Sequence, residues 1–558
     1  MSKKDLISLF LLLIFAFVLY FYKLDKVPSG FYIDEAMPGY SAYSILKTGK
    51  DEYKKPFPIY FRFYGSYNPP LYTYLTALSV GLGGLTVFAV RAPAAFLGVL
   101  TVPIIFLLIK NLKITKSKYT PFITTLFFLI SPWHFFYSRI GYEISLGFFL
   151  FCLGVLLFLL SLKRTILIIP TLLTFSLATY SSFSQKFIAP IFLIFAFIIF
   201  RKKIFEKKSF VYFIAGISLF LLTQIPNLKL INTPAFFPKS DLFFSETLVN
   251  KSLATTKILP YSIRLLLSFI HEFSAKFTTY LSPRSLFFTP DPDPQRSIPE
   301  ISVFYPWMVI FYLAGLLGLV TLKNKKAKKL LILLILITLI PASLTKDPFS
   351  THRAIAFLLP LTLIFGMGID KIARKLKLRQ IALVLAIITP ISLLLLWRSY
   401  FILLAKERAI YWNYGYEKLA EEIRKRPESH FIIDTSRIKP PYAALAFFLK
   451  VNPKKFQESI PKDILNQYYQ NPPFDNHFKF LNLETRPIFW QEDIYEKQIL
   501  VGDALAISDN QAQEHFLTKI FEIKDPVEDT IFVAYETNPQ LKCSSISYRN
   551  KGCVKYNH

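Results

Sequence analysis

Apolar residues in this chain gather in long unbroken runs. A helix needs about 20 apolar residues to cross the hydrocarbon core of a bilayer. Runs near that length occupy 5–22, 86–109, 119–132, 144–162, 165–180, 187–200, 210–226, 303–322, 330–344, 354–370 and 381–402, which predicts eleven membrane helices. The first run follows Met1-Ser2-Lys3-Lys4 and is closed by Lys23-Leu24-Asp25-Lys26 with no small-residue cleavage site, so it reads as a retained helix. Beyond residue 402 the pattern changes. Tyr416–Arg426 has one apolar face and predicts a helix, His430–Asp434 a short buried strand, and Tyr442–Leu449 another helix. The expectation is an all-α polytopic membrane domain over 1–402, followed by a smaller α/β domain over 403–558.

The basic residues alternate along the membrane part. Segments 1–4, 110–118, 163–164, 201–208, 323–329 and 371–379 carry 2, 4, 2, 5, 5 and 5 Lys and Arg. The short segments between them, 133–140, 181–186 and 345–353, carry only Arg139, Lys186, Lys346 and Arg353. Basic loops stay in the cytoplasm, so the N-terminus is expected inside. Loops 23–85 and 227–302 and the whole tail are then expected outside a cytoplasmic membrane.

Composition agrees. Hydrophobic residues make up 53% of the 558, with 57 Phe, and charged residues only 18%, below the fraction of about 25% usual for soluble chains. The formal charge of +28 suggests nucleic acid at first sight, but the tail balances 21 basic against 21 acidic residues. The whole excess therefore lies in the membrane part, where loop topology explains it and no nucleic-acid partner is needed. Three Cys exclude a disulfide framework. Cys543 and Cys553 are close enough in sequence to bridge, and Cys152 reads as a packed helix residue.

Against this background a few polar residues need explaining. Glu143 is the one acid between Tyr53 and Phe205. A carboxylate at a membrane edge is a functional candidate; the alternative is an i,i+4 pair with Arg139. Asp34 and Glu35 precede a helical run through Leu46, so they read either as reacting carboxylates or as an N-cap and a first-turn acid. Arg353, after His352, starts an apolar helix at an expected outer mouth. It can anchor in headgroups, pair with an acid, or grip a phosphate with its planar fork. Lys186 has the same choice between headgroup and phosphate. Asp291-Pro292-Asp293-Pro294 has the look of a metal-binding acid pair, but no further ligand set stands nearby. His134 and His271 lack spaced partners for zinc, and no metal or other cofactor is expected.

Phe31–Leu46 with its Asp-Glu pair, Gly65-Ser66-Tyr67-Asn68-Pro69-Pro70-Leu71-Tyr72, and Phe88–Gly98 resemble the amino-terminal signature of the polyprenyl-phosphate-sugar glycosyltransferases. These are relatives of the protein O-mannosyltransferases and the aminoarabinose lipid A transferases. Ser138-Arg139 with Glu143, and His352-Arg353, are similar to further motifs of that family. The resemblance covers about residues 1–400. It implies the GT-C fold, a first outer loop bearing the catalytic acid, and a lipid-phosphate sugar donor. By position Asp34 corresponds to the catalytic Asp, Glu35 to its neighbour, and Glu143 to a second acidic motif.

The chemistry is coherent without the family. An outward-facing enzyme has no nucleotide sugars and must use a donor that crosses the membrane already activated. Transfer then needs a base for the acceptor hydroxyl and cations for the departing phosphate. Asp34 fits the first role, giving inversion in a single displacement. Arg353, His352 and Lys186 fit the second, with Arg139 either contributing or holding Glu143. The acceptor is a lipid, glycan or protein. A transporter or flippase of lipid-linked sugars is the alternative, although no internal repeat supports one.

Overall fold

The structure, a computed structural model, describes residues 2–236, 246–254, 258–438, 441–470, 477–545 and 552–553. Every predicted span is helical. The helices are α1 (Lys3–Phe21), α2 (Ile33–Thr48), α3 (Pro70–Gly83), α4 (Val87–Leu112), α5 (Thr120–Ile130), α6 (Pro132–Tyr137), α7 (Glu143–Ser161), α8 (Ile168–Thr179) and α9 (Gln185–Ile204). They continue with α10 (Lys207–Lys229), α11 (Glu246–Ala254), α12 (Tyr261–Leu281), α13 (Val309–Val320), α14 (Lys325–Ser343), α15 (Leu358–Ala373) and α16 (Leu378–Trp397). Among the described residues six helices are long and apolar enough to cross a membrane. The chain is a multi-pass membrane bundle with an appended sheet domain. Loop 227–302, expected as plain loop, carries α11 and α12.

The α13–α15, α7–α8 and α4–α7 pairs pack most extensively within the bundle. α10 and α16 instead leave rows of large apolar side chains exposed, including Leu221, Leu222, Ile225, Ile387, Ile391 and Leu394. Such surfaces suit lipid.

The loops sort to two ends. At one end Asp5 pairs with Lys110 and Lys163 bonds Asn111, while the Asp370 carboxylate accepts from the backbone N–H groups of Lys116 and Ser117 at 2.7 Å. These are the basic segments. At the other end the Trp133 backbone N–H donates to Val303 O, its indole donates to Thr351 O, and the Tyr137 and Thr351 hydroxyls bond at 2.7 Å.

The first long loop is built and buried. α2 is followed by a hairpin of β1 (Phe61–Phe63) and β2 (Ser66–Asn68), then by α3. The C-terminal domain begins after a short helix α17 (Ala405–Glu407). It contains α18 (Tyr416–Arg424) and α19 (Tyr442–Phe448), with strands β3 (Phe431–Ile433), β4 (Phe478–Phe480), β5 (Leu483–Thr485), β6 (Ile499–Gly502), β7 (Thr518–Lys524) and β8 (Thr530–Glu536). The strands form one mixed sheet in the order β4-β5-β3-β6-β8-β7, parallel only where β3 meets β5 and β6. Both helices and the first strand match the sequence pattern within two residues at each end. Cys543 and Cys553 are bridged, with Cα atoms 5.5 Å apart, and Cys152 is buried.

The first loop and the C-terminal domain share one hydrophobic core. It contains Phe31, Met37 and Tyr40 of the loop region together with Tyr442, Phe447, Phe456 and Tyr468 of the domain. Polar bonds seal the junction. Tyr53 and Tyr442 hydroxyls meet at 2.7 Å, the Tyr468 hydroxyl accepts from Arg62 N–H and donates to Asp51, and Gln457 Nε2 donates to Ser44, Thr48 and Asp51 O. Gly30 permits the closest approach: a Cβ there would lie 2.0 Å from Trp412 O.

Candidate functional site

α2 is capped by Tyr32, which makes no side-chain cap bond, so Asp34 sits in the first turn and is not an N-cap. Successive helix residues point about 100° apart, and the adjacent acids diverge accordingly. Glu35 is fully buried. Its Oε1 accepts from Arg91 Nε and from Gly141 N–H, and its Oε2 accepts from Arg91 Nη2, all at 2.8 Å. Arg91 spends its remaining donors on the carbonyls of Leu24, Pro28 and Gly30. Glu35 thus ties α2 to α4 and to the segment before α7. Asp34 is half-buried, in the first turn of α2.

Burial first, and then the Asp34 charge, hold the Tyr32 and Tyr142 hydroxyls well above the usual tyrosine range. In Tyr64 the effect of Asp34 follows those of burial and Tyr416. Tyr32 also lies in the fields of Asp293 and Arg296. Rings close the floor: Tyr32 lies 6.1 Å from Trp412 and 6.4 Å from Tyr142, and Tyr142 lies 6.1 Å from His352. Gln295 donates to the Tyr142 hydroxyl.

The cationic side comes from two loops. Arg296 lies 2.9 Å from Asp347, 3.2 Å from Asp293 and 3.6 Å from Asp291, while Arg353 shares Asp347 at 3.6 Å. Asp291 also accepts from Thr351 N–H and Oγ1. Burial raises Asp291, whereas Arg296 holds Asp347 below the usual carboxylate range against its burial. Burial, with Arg353 and Arg296 beside it, holds the His352 imidazole down at about 3, so it is neutral. The Asp291 and Asp293 carboxylates are thus engaged by Arg296 and Thr351. Among the described residues no group of three or more His, Cys, Asp or Glu is placed to hold a metal.

Three candidates lie apart from this cluster. Arg139 does not pair with Glu143: the chain leaves the helix between them, and Arg139 donates to the carbonyls of Leu19, Tyr20 and Lys23 and stacks on Tyr400. Glu143 opens α7, directly after extended Tyr142. Lys186 donates to Phe236 O at 2.6 Å inside a cage of Tyr60, Phe183 and Phe236. It makes no described contact with Arg353. The sequence reading missed Tyr32, Tyr64, Tyr142, Arg296 and Trp412. Only Tyr32 carried a local signal, as the residue two before Asp34.

No family model matches the chain, and no curated protein matches it. Solved structures that it resembles include an oligosaccharyltransferase from Archaeoglobus fulgidus, at 14% identity and a TM-score of 0.48, covering 79% of this chain and 63% of that one. ArnT from Cupriavidus metallidurans bound to undecaprenyl phosphate is similar over 96% of this chain and 98% of its own, at 11% identity and a TM-score of 0.40. The arabinofuranosyltransferase AftD from Mycobacteria is similar over 96% of this chain and 42% of its own, at 11% identity and the same TM-score of 0.40.

Proposed function

We propose that the chain is a GT-C-type integral-membrane inverting glycosyltransferase, moving a sugar from polyprenyl phosphate to an acceptor hydroxyl on the outer face of the cytoplasmic membrane. The observation that carries this reading is a half-buried carboxylate, Asp34, in the first turn of α2 next to Tyr32, whose ring lies 6.4 Å from that of Tyr142, itself 6.1 Å from His352, with Arg353 following. The wider likeness of Phe31–Gly98 to the polyprenyl-phosphate-sugar glycosyltransferases supports it.

Asp34 takes the proton of the acceptor hydroxyl as that oxygen attacks the anomeric carbon. The bond from that carbon to the phosphate oxygen breaks, and the electron pair leaves with the lipid phosphate. Arg353 meets the growing charge bidentately, and neutral His352 donates a hydrogen bond. Arg296, shared among three carboxylates, positions this loop. Glu35 is a positioning residue that sets α2. Lys186 and Arg139 hold backbone carbonyls.

Purified protein in nanodiscs should release undecaprenyl phosphate from a sugar-loaded lipid when an acceptor hydroxyl is supplied. A flippase would leave that bond intact, and this outcome would overturn the reading.

A further inference from the structure

The exposed apolar row of α16 does not stop where the helix does. Leu394 and Trp397 end α16 with exposed side chains, and Ile402 continues the row in the wide helical turns Arg398–Leu404 that follow. Past α17, Ile410 and Tyr411 are again large and exposed, at 56% and 46%, while Ala409 and Trp412 on either side of them are buried.

This connector lies at the end of the bundle that carries Asp34. The Arg398 guanidinium pairs with Glu300 of the second long loop, the Tyr400 hydroxyl donates to Val27 O at 3.1 Å, and the Ser29 hydroxyl donates to Ala405 O at 2.7 Å. It stands beside α1, which also exposes large apolar side chains, among them Phe10, Ile14 and Phe17. Tyr22, just past α1, lies 5.2 Å from Trp397 and 5.5 Å from Phe401. Tyr and Trp gather where a ring has one end in hydrocarbon and the other in water.

One cation here has no acid. Arg408 stands over the Tyr411 ring at 5.8 Å, and its side chain is part-exposed. Its Nε is buried with no hydrogen-bond partner among the described residues, and no carboxylate among them pairs with it. The nearby guanidinium groups are already engaged, Arg398 by Glu300 and Arg139 by backbone carbonyls. An unpaired polar group of this kind calls for an explanation. A planar fork at headgroup level, next to exposed apolar side chains, suits a lipid phosphate.

We propose that the connector 398–412 rests on the membrane leaflet beside the C-terminal domain, with Arg408 holding the phosphate of a phospholipid and Ile410 and Tyr411 seated among its upper acyl carbons. The occupant is a bulk membrane phospholipid and not the lipid-linked donor. The contact steadies the approach to α2, because the next residues touch it directly: Trp412 O packs on Gly30, and Asn413 Oδ1 accepts from Ile33 N–H at 3.3 Å.

Two measurements on the full-length protein test this. The first places a nitroxide at Tyr411→Cys in nanodiscs; Cys152 is buried and Cys543 and Cys553 are bridged, so none of them takes the label. The label should relax faster with dissolved oxygen than with a water-soluble nickel chelate. A label at Lys425→Cys, an exposed position in the C-terminal domain, should show the reverse. Equal access of the chelate to both labels would lift the connector off the membrane and overturn the proposal. The second measurement is native mass spectrometry with phosphatidylglycerol and, separately, undecaprenyl phosphate. Arg408→Ala should weaken phosphatidylglycerol binding by about tenfold or more, as for a hydrogen bond to a charged group. Arg408→Lys should recover part of this, and undecaprenyl phosphate should bind both variants as it binds wild type. If undecaprenyl phosphate is weakened as much as phosphatidylglycerol or more, Arg408 belongs to the donor site. If neither lipid is weakened, Arg408 meets only water. Either result overturns the phosphate assignment.

Discussion

Glu35 and Arg91 form a fully buried bidentate pair, Oε1 to Nε and Oε2 to Nη2, both at 2.8 Å. Breaking such a pair from one side strands a charge in the interior at a cost of about 3–5 kcal/mol. The residue one place earlier, Asp34, is part-exposed, and α2 does not depend on it for capping. Two adjacent acids therefore separate into a buried anchor, Glu35, and a half-buried carboxylate, Asp34, the proposed base.

Asp34→Asn is expected to abolish sugar transfer while the unfolding temperature in detergent stays at the wild-type value. Glu35→Ala is expected to lower that temperature sharply. Thermal unfolding and turnover measured on both variants check the division. Wild-type-like turnover in the Asn variant would remove Asp34 from the role of base.

Arg353→Ala is expected to weaken donor binding, and Arg353→Lys to restore it only in part. Lys replaces a planar fork by a point charge, leaving a deficit of about 1–3 kcal/mol. The comparison lipid is a polyprenol of the same length without phosphate. If both variants bind the phosphate donor like wild type, Arg353 merely anchors the chain in headgroups.

The spans, the C-terminal α/β domain and the acid pair were legible because each leaves a local trace: an apolar run, a change of period, two carboxylates beside a helix start. Which of the two acids is the anchor was not legible. That depends on Arg91, 56 residues away, and on Gly141, 106 residues away. Arg139 and Glu143 looked like a pair because their spacing suits a helix, but Tyr142 is extended and breaks it. Arg408 had no signal at all, since an unpaired donor can be recognised only once its surroundings are known.

The domain boundary at 402 marks a change of pattern, but the packing core runs across it. A chain ended at residue 402 would expose the faces of Phe31, Met37 and Tyr40 that now meet Phe447, Tyr442 and Phe456. Such a truncation is expected to insert in the membrane, lose transfer activity, and show raised protease sensitivity within 30–68. Full activity in the truncated chain would make the domain dispensable for placing α2.

Asp51 gives a pH dependence. Burial pushes its carboxyl up to about 7, against the pull of Tyr468 and of the Lys55 and Tyr53 N–H groups. With a folded value above the unfolded one, the native state holds the extra proton between the two. Stability should therefore fall as pH rises from about 4 to about 7, by up to about 1.4 kcal/mol per pH unit, and then level off. Asp51→Asn should flatten this profile in unfolding measurements from pH 4 to 8. An unchanged profile would show that Asp51 titrates at its ordinary value.

The orientation expected from the basic loops puts His558 outside. A reporter active only beyond the cytoplasmic membrane, fused after that residue, should be active. Activity of a cytoplasm-only reporter would reverse the placement of Asp34, Arg296 and Arg353 together, because contacts hold them at one end of the bundle.

The bond between Tyr468 and Asp51 joins residues 417 positions apart. During synthesis α2 leaves the ribosome among the first helices, yet the surface it rests on is made among the last. The helix bearing the acid pair therefore waits through insertion of nearly the whole bundle before this part of its seat exists. A chain ended before residue 403 carries the acid pair and the Arg91 and Gly141 anchor of Glu35, but not the domain that packs on α2. On the proposed function, competence for transfer is therefore gained only after the C-terminal domain is made.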